Sequence, residues 1–183
     1  MNYRTHFFLV TVFLVASCSI FFGQARNQFA AYHLTVRIDP ATSRLQCRAD
    51  IRNSNDSSFI LNNDLEIQHL LVDGKSAPFQ RKVSTFMPNS SEIVIADPSH
   101  KSIVIEYSGE IKADSFPPIV RAVNMINADL VELAMYVTWY PRQKSGAFFN
   151  FQMDVDMPSP YVTVTNGRLK GEKREDNRHQ TSW

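Results

Sequence analysis

Two acidic residues that are two positions apart, Asp154 and Asp156, come nearest in this sequence to a catalytic arrangement. In a strand, residues i and i+2 point to the same side, so both carboxylates would share one face. Paired carboxylates can act as general acid and nucleophile in glycoside hydrolysis. A hydrolase of this kind would turn over substrate without added metal, and we expect no such turnover, because the alternate positions have the apolar pattern of a half-buried strand. These positions are Phe149, Phe151, Met153 and Val155.

The histidines and cysteines do not have the spacing of a metal site. No two of the five histidines are arranged as His-x-x-x-His, and no Glu follows one in the spacing of a zinc peptidase helix. One sheet face could gather His33 and His69, but a single solvent-facing histidine on a strand is the commoner case. Cys47 shares a strand face with apolar residues, which favours a small buried side chain over a reactive thiol. We predict no catalytic residue and no metal ligand in this chain.

The first 25 residues have the layout of an export signal. Arg4 precedes an apolar run from Phe7 to Phe22, and small residues follow at Gly23 and Ala25. We predict a signal peptide at 1–25, and therefore an exported protein that is periplasmic, secreted or membrane-anchored. Two alternatives stay open: an uncleaved anchor, which would be the chain's only contact with a membrane, and lipidation of Cys18.

Composition restricts the kinds of partner. The 183 residues suffice for one domain, with 44% hydrophobic and 20% charged residues, as in ordinary globular proteins. The formal net charge of +1 gives no electrostatic attraction to nucleic acid. After cleavage of the signal only Cys47 remains, so no internal disulfide can form.

Short strands are the elements that must position these residues. In "YHLTVRID" apolar and polar residues alternate, and the same pattern returns in "RLQCRADIRN", "LEIQHLLV", "SEIVIADP" and "KSIVIEYSGEI". Three more strands are predicted in "VELAMYVTWYP", "AFFNFQMDVDMP" and "YVTVTNGRL". About ten such runs predict an all-β fold, an antiparallel sandwich or a bent, saddle-like double sheet. Residues 170–183 are charged and aperiodic, so a loop or frayed end is expected there.

The order of these segments resembles the N-terminal β-domain of aminopeptidase-N-like zinc metallopeptidases, a family that includes the leukotriene hydrolases. The opening "YHLTVRIDP" and the later "ADI" are similar to that family's first strand pair. The later landmarks are Trp139-Tyr140-Pro141, the run Phe148 to Phe151, Pro158, and Thr165-Asn166-Gly167. After the corner the sequence departs from the family: "RQKSG" replaces a Cys or Ser followed by Asp-Glu-Pro, and this puts the exact substrate in doubt.

The resemblance implies a β-domain at 26–169 and a tail at 170–183 that leads toward an absent catalytic domain. The family's Gly-x-Met-Glu-Asn loop and His-Glu-x-x-His helix do not occur in this sequence. Zinc is therefore expected only in the missing domain, which would be a partner in cis or in trans and would cleave a peptide substrate. Glu132, nine residues before Pro141, matches the family residue that reaches the substrate's amino end, although it could equally be an outward strand residue with no role.

A second function stays open beside this one. An all-β exported chain without catalytic residues could be a free-standing secreted binding module for protein or glycan. The coding sequence after Trp183 distinguishes the two readings, because only the first requires a zinc peptidase domain.

Overall fold

The protein was studied as a computed structural model, which describes residues 29–85, 87, 89–96, 101–111, 124–134 and 138–183. The predicted signal segment 1–25 therefore lies outside the described residues. Across the described ranges the regular structure is almost entirely β, with one 3-10 turn at Pro40–Thr42, which confirms the predicted fold class. The strands are β1 (Ala30–Asp39), β2 (Arg44–Arg52), β3 (Ser58–Asn62), β4 (Leu65–Val72), β5 (Lys75–Ser76), β6 (Phe79–Val83), β7 (Ser90–Ile95), β8 (Ser102–Glu110), β9 (Asn124–Ile126), β10 (Val131–Leu133), β11 (Arg142–Gln143), β12 (Phe149–Pro158), β13 (Gly171–Glu175) and β14 (Arg178–Ser182).

Two larger sheets and one small hairpin make up the fold. An eight-stranded sheet has the order β13-β14-β12-β1-β2-β8-β4-β5, a four-stranded sheet has the order β11-β3-β7-β6, and β9 pairs with β10. Buried side chains from both larger sheets belong to one hydrophobic core. Neighbouring strands run antiparallel except β1 and β12, which are parallel. Because more than a hundred residues separate these two strands, no tight hairpin constrains their direction.

The alternation in β1 explains which of its two faces packs against the core. Leu34, Val36 and Ile38 are at most 4% exposed, whereas Thr35 and Arg37 face solvent. Strand β2 continues the same pattern after the predicted turn at "DPATS". There the Asp39 carboxylate accepts a hydrogen bond from the Ala41 N–H at 3.1 Å, and Ser43 adopts a left-handed φ of 55°. The apolar side chains of both strands therefore point to one core.

Two expectations for the C-terminal part are wrong. The segment Tyr161 to Leu169, predicted as a strand, joins no sheet, and Val162 and Val164 on it are exposed. Residues 170–183, expected as a loop or frayed end, contain the hairpin β13–β14, which extends the eight-stranded sheet beside β12. Backbone pairing needs an available edge, and the charged hairpin occupies the edge of β12. Polar side chains rather than an apolar face hold the hairpin there.

The strand predicted over "VELAMYVTWYP" lies partly outside the described residues, because 135–137 are not among them. Within the described residues 131–134 and 138–141 of this segment, Val131–Leu133 is a strand and the Trp139-Tyr140-Pro141 corner is irregular. Thr138 has a φ of 48°, a left-handed conformation that does not fit into a strand. In the described part of the chain no helix is long and apolar enough to cross a membrane.

Candidate functional site

An apolar groove of about 610 Å³ lies against one face of the eight-stranded sheet. Its floor consists of buried side chains on two adjacent strands, β1 and β12. The opposite wall is formed by β10 and by the unpaired segment 161–166. The volume is within the range of ligand pockets and of clefts between domains. The floor residues are Leu34, Val36 and Ile38 on β1 and Met153, Val155 and Met157 on β12.

The aromatic corner contributes Trp139 and Tyr140 to the lining of this groove and belongs mostly to the core. Trp139 and Tyr140 are each 8% exposed, and their rings meet edge to face with centroids 5.2 Å apart. The centroid of the Tyr32 ring lies 6.5 Å from that of the Tyr140 ring and 4.6 Å from that of the Phe149 ring. Burial raises the pKa of the Tyr140 hydroxyl above its ordinary value. These contacts fix the corner's shape by packing, because aromatic pairs of this geometry add to the stability gained from burial.

Four exposed apolar side chains surround the groove's mouth, and we call them the apolar rim: Leu130, Phe151, Val162 and Val164. They are 48%, 43%, 67% and 83% exposed, and all four line the groove. Apolar side chains that are clustered rather than scattered over a surface mark a place where another molecule or domain binds. The sequence did not single out Leu130, Val162 or Val164, because the expected strand at 161–169 would have buried its valines.

Glu132 lies on the short strand β10, opposite Met125 of β9. It is exposed, whereas its neighbours Val131 and Leu133 line the groove, so Glu132 is on the other side of the strand. Nothing in the described structure tests its predicted role at the substrate's amino end.

The hairpin that carries Glu132 is fixed by local hydrogen bonds. The Asn127 side-chain oxygen accepts from the N–H groups of Asp129 and Leu130, each at 2.9 Å. The Tyr161 hydroxyl donates to the Ala128 carbonyl. The position of Glu132 is thus set by a short loop that is fastened to the segment forming the groove wall.

The carboxylates of Asp154 and Asp156 both form hydrogen bonds with side chains of neighbouring strands. Asp154 accepts from the Ser182 hydroxyl at 2.6 Å and lies 2.6 Å from His33 Nε2. Asp156 accepts from Arg178 Nε at 2.8 Å. In a Ser-His-Asp triad the imidazole stands between the hydroxyl and the carboxylate. Here the carboxylate stands between them, so the imidazole does not contact the hydroxyl and the triad arrangement is not formed.

These contacts also set the charge state of Asp154. Burial raises the pKa of this carboxyl, but hydrogen bonds from Ser182 and His33 outweigh it, and the pKa lies below its ordinary value.

The remaining residues considered for chemistry are apart from one another. His33 on β1 and His69 on β4 are separated by β2 and β8, a distance of roughly 14 Å at the usual strand spacing. Over the residues that the structure describes, no group of three or more His, Cys, Asp or Glu side chains could hold a metal ion. Cys47 is buried, and burial raises the pKa of its thiol to about 12. It is therefore protonated and unreactive at neutral pH.

The burial of one polar residue was not predicted from the sequence. His179, within the charged tail, is 1% exposed. Its Nδ1 lies 2.6 Å from the Tyr161 carbonyl oxygen and its Nε2 lies 2.9 Å from Glu172 Oε1. No periodicity marked this histidine as buried, because its burial depends on the pairing of β14 with β12 and β13.

Comparison with known proteins supports the fold that the resemblance implied. No protein-family model matches this sequence, and no curated protein matches it significantly. Among solved structures the fold is similar to an M1 zinc metallopeptidase from Deinococcus radiodurans, with a TM-score of 0.56 and 14% identity over 85% of this chain and 38% of that one. It is also similar to yeast LTA4 hydrolase, with a TM-score of 0.54 and 15% identity over 85% of this chain and 26% of that one. This chain thus spans well under half of either protein, and it resembles a partial, N-terminal β-domain of such peptidases in fold.

Proposed function

We propose that this chain is the non-catalytic N-terminal domain of a zinc aminopeptidase-like metallopeptidase, and that it shapes or caps the substrate cleft of a catalytic domain outside the chain. The observation that carries the proposal is the fold match over 85% of the chain to peptidases of which it spans only 38% and 26%. The zinc ligands and the base that activates water belong to that other domain. This chain supplies the surface that positions it and part of the cleft.

The apolar rim is the surface that we assign to the contact with the catalytic domain. Its four side chains are continuous with the groove, so a partner that covers them also closes the groove's mouth. Contacts between domains of one protein bury several hundred Å² and have apolar centres. The partner is accordingly a folded domain with an apolar face, and we assign this place to the catalytic domain.

Glu132 is the residue that we assign to peptide recognition. A carboxylate next to a substrate ammonium forms a charge-assisted hydrogen bond, which is among the stronger polar contacts in proteins. Glu132 is exposed on the β9–β10 hairpin beside the groove, so it remains available after the rim is covered. One of the similar structures, a mutant of the Deinococcus radiodurans enzyme, was solved with a Tyr-Ser-Ala substrate bound.

The test begins with the coding sequence that follows Trp183. An open frame that continues into Gly-x-Met-Glu-Asn and His-Glu-x-x-His supports the proposal. A stop codon with no zinc peptidase domain encoded nearby contradicts it and favours the free-standing binding module. The isolated chain is expected to bind no zinc stoichiometrically and to leave a leucyl reporter uncleaved, and activity with bound zinc would also contradict the proposal.

In the two-domain protein, Val164→Asp is expected to lower kcat/KM on a leucyl reporter about tenfold, because a charge would be buried in the domain contact. Val83→Asp is the matched control, since Val83 on β6 is 88% exposed and lies far from the rim in the other sheet.

Glu132→Gln is expected to raise KM about tenfold for substrates with a free amino group and not for acylated ones. The control for it is Glu66→Gln on β4. Equal effects of target and control variants would refute the assignments.

A further inference from the structure

Both ring nitrogens of His179 lie within hydrogen-bond distance of an oxygen. A backbone carbonyl oxygen can only accept a hydrogen bond, so Nδ1, at 2.6 Å from the Tyr161 oxygen, must carry a proton. An ionised carboxylate also only accepts, so Nε2, at 2.9 Å from Glu172 Oε1, must carry one too. Both hydrogen bonds therefore exist together only when the imidazole is positively charged.

The alternative, a protonated Glu172 that donates to a neutral ring, is disfavoured by its surroundings. A hydrogen bond from Arg174 has the largest effect in lowering the pKa of the Glu172 carboxyl, and the hydrogen bond from His179 has the next largest. Arg174 Nε lies 3.2 Å from the same oxygen that contacts His179. The side chain of Glu172 is also 45% exposed, so water stabilises its ionised form.

We propose that His179 is a pH-sensitive latch that holds the hairpin β13–β14 to the Tyr161 segment while its imidazole is charged and releases one of the two contacts when it becomes neutral. Histidine is the side chain that ordinarily changes charge between about pH 5 and 8. Of the charged groups on these strands, Glu172 and Arg174 on β13 share its side of the sheet, whereas Arg178 on β14 and Asp156 on β12 are at alternate positions and point to the other side. Arg178 and Asp156 pair with each other, so Glu172 is the carboxylate available to the imidazolium.

The latch connects the sheet edge to the groove. Tyr161 is the first residue of the unpaired segment that forms the groove wall, and its hydroxyl donates to the Ala128 carbonyl in the β9–β10 hairpin. A change at His179 therefore acts on the backbone of the same residue whose side chain fastens that hairpin. This inference concerns the chain itself and holds whether or not a catalytic domain docks on the apolar rim.

Hydrogen–deuterium exchange of the full chain tests the latch. Amides of residues 171–182 are compared at about pH 5.5 and pH 8, after correction for the intrinsic rate, with amides of β2 and β8 as the internal reference. We expect protection of the hairpin to fall about tenfold or more at the higher pH, the effect of one lost charge-assisted hydrogen bond, while β2 and β8 stay unchanged. Equal hairpin protection at both values would overturn the proposal.

Glu172→Gln is the decisive variant. A glutamine amide accepts from a charged imidazole through its oxygen and donates to a neutral one through its nitrogen, so both contacts survive at either pH. The variant should therefore keep the hairpin and lose the pH dependence.

His33→Gln is the matched control, because His33 also contacts the hairpin's neighbourhood through Asp154; it should keep the wild-type dependence. A dependence that persists in Glu172→Gln, or that disappears in His33→Gln, contradicts the assignment. Imidazole nitrogen chemical shifts of wild-type His179 give an independent readout, and a neutral ring with the hairpin closed at about pH 5.5 would also contradict it.

Discussion

Strand β8 and strand β14 belong to the same eight-stranded sheet but are held in it by different interactions. On β8, Ile103, Ile105 and Tyr107 are at most 1% exposed and pack into the shared core. On β14, the contacts to neighbouring strands include Arg178 to Asp156 and Ser182 to Asp154. All five residues of β13, the strand beyond β14, are exposed. The centre of the sheet is thus stabilised by apolar burial and its C-terminal edge mainly by polar contacts.

This difference predicts that the two parts of the sheet open separately. Apolar burial does not depend on the charge of any group, whereas hydrogen bonds to carboxylates and to imidazole change with pH. Regions with few buried apolar side chains also open at lower free energy than the core. The hairpin β13–β14 should therefore open first, and it should respond to pH while β2 and β8 do not.

The largest predicted effect comes from the two glycines that lie in these two regions. A Cβ added at Gly109 of β8 would stand 1.9 Å from the Asp64 carbonyl oxygen, which is backbone and cannot rotate away. Gly109→Ala should cost more than about 4 kcal/mol or prevent folding, because β4 would have to move off β8. Gly171→Ala on β13 meets nothing within 4 Å and should change stability by less than about 1 kcal/mol. Urea unfolding followed by circular dichroism measures both.

A smaller effect should come from deleting one core side chain. Ile105 is 0% exposed, and Ile105→Ala should lower the free energy of unfolding by roughly 2–5 kcal/mol through lost burial and the cavity left behind. Val164→Ala in the unpaired segment removes an 83% exposed side chain and should stay within about 0.5 kcal/mol of the parent. Similar losses for both variants would mean that segment 161–166 packs more tightly than its exposure indicates.

The sequence predicted the central strands well, because their periodicity reflects one buried face. Leu34, Val36 and Ile38 are spaced by two and are buried together. The same rule failed at Val162 and Val164, where the alternation is present but the edge of the preceding strand β12 is occupied by β14. It failed in the opposite direction at β14, where His179 and Thr181 are the buried residues of a strand without an apolar face.

The candidate site was predictable only in part for the same reason. The aromatic corner stood out because Trp139 and Tyr140 are large apolar residues, and both are buried. The groove could not be predicted, since its floor joins β1 to β12, which are parallel partners distant in the chain. Which strands become neighbours depends on tertiary pairing, and a single sequence does not give that information.

The smallest predicted effect concerns Asp154 and sharpens the difference between edge and centre at acid pH. The pKa of Asp154 is lower in the folded protein than its ordinary value of about 4 in the unfolded chain. The carboxylate therefore stabilises the fold above about pH 4, and this stability is lost as the pH falls from 4 toward the folded-state pKa. Because Asp154 is 35% exposed, solvent screening limits the effect to less than about 1 kcal/mol.

Removing one hydrogen-bond donor tests this directly. Ser182→Ala takes away a bond that lowers the pKa of Asp154, so hairpin amides should exchange faster than in the parent above about pH 4, and the difference should narrow as the carboxyl becomes protonated. Ser76→Ala on β5, at the opposite edge of the same sheet, is the control. If the Ser182→Ala effect has a constant size from pH 2 to 6, the serine contributes through packing rather than through its bond to the carboxylate. Arg178 and His179 would then be the side chains left to explain how polar contacts hold this sheet edge.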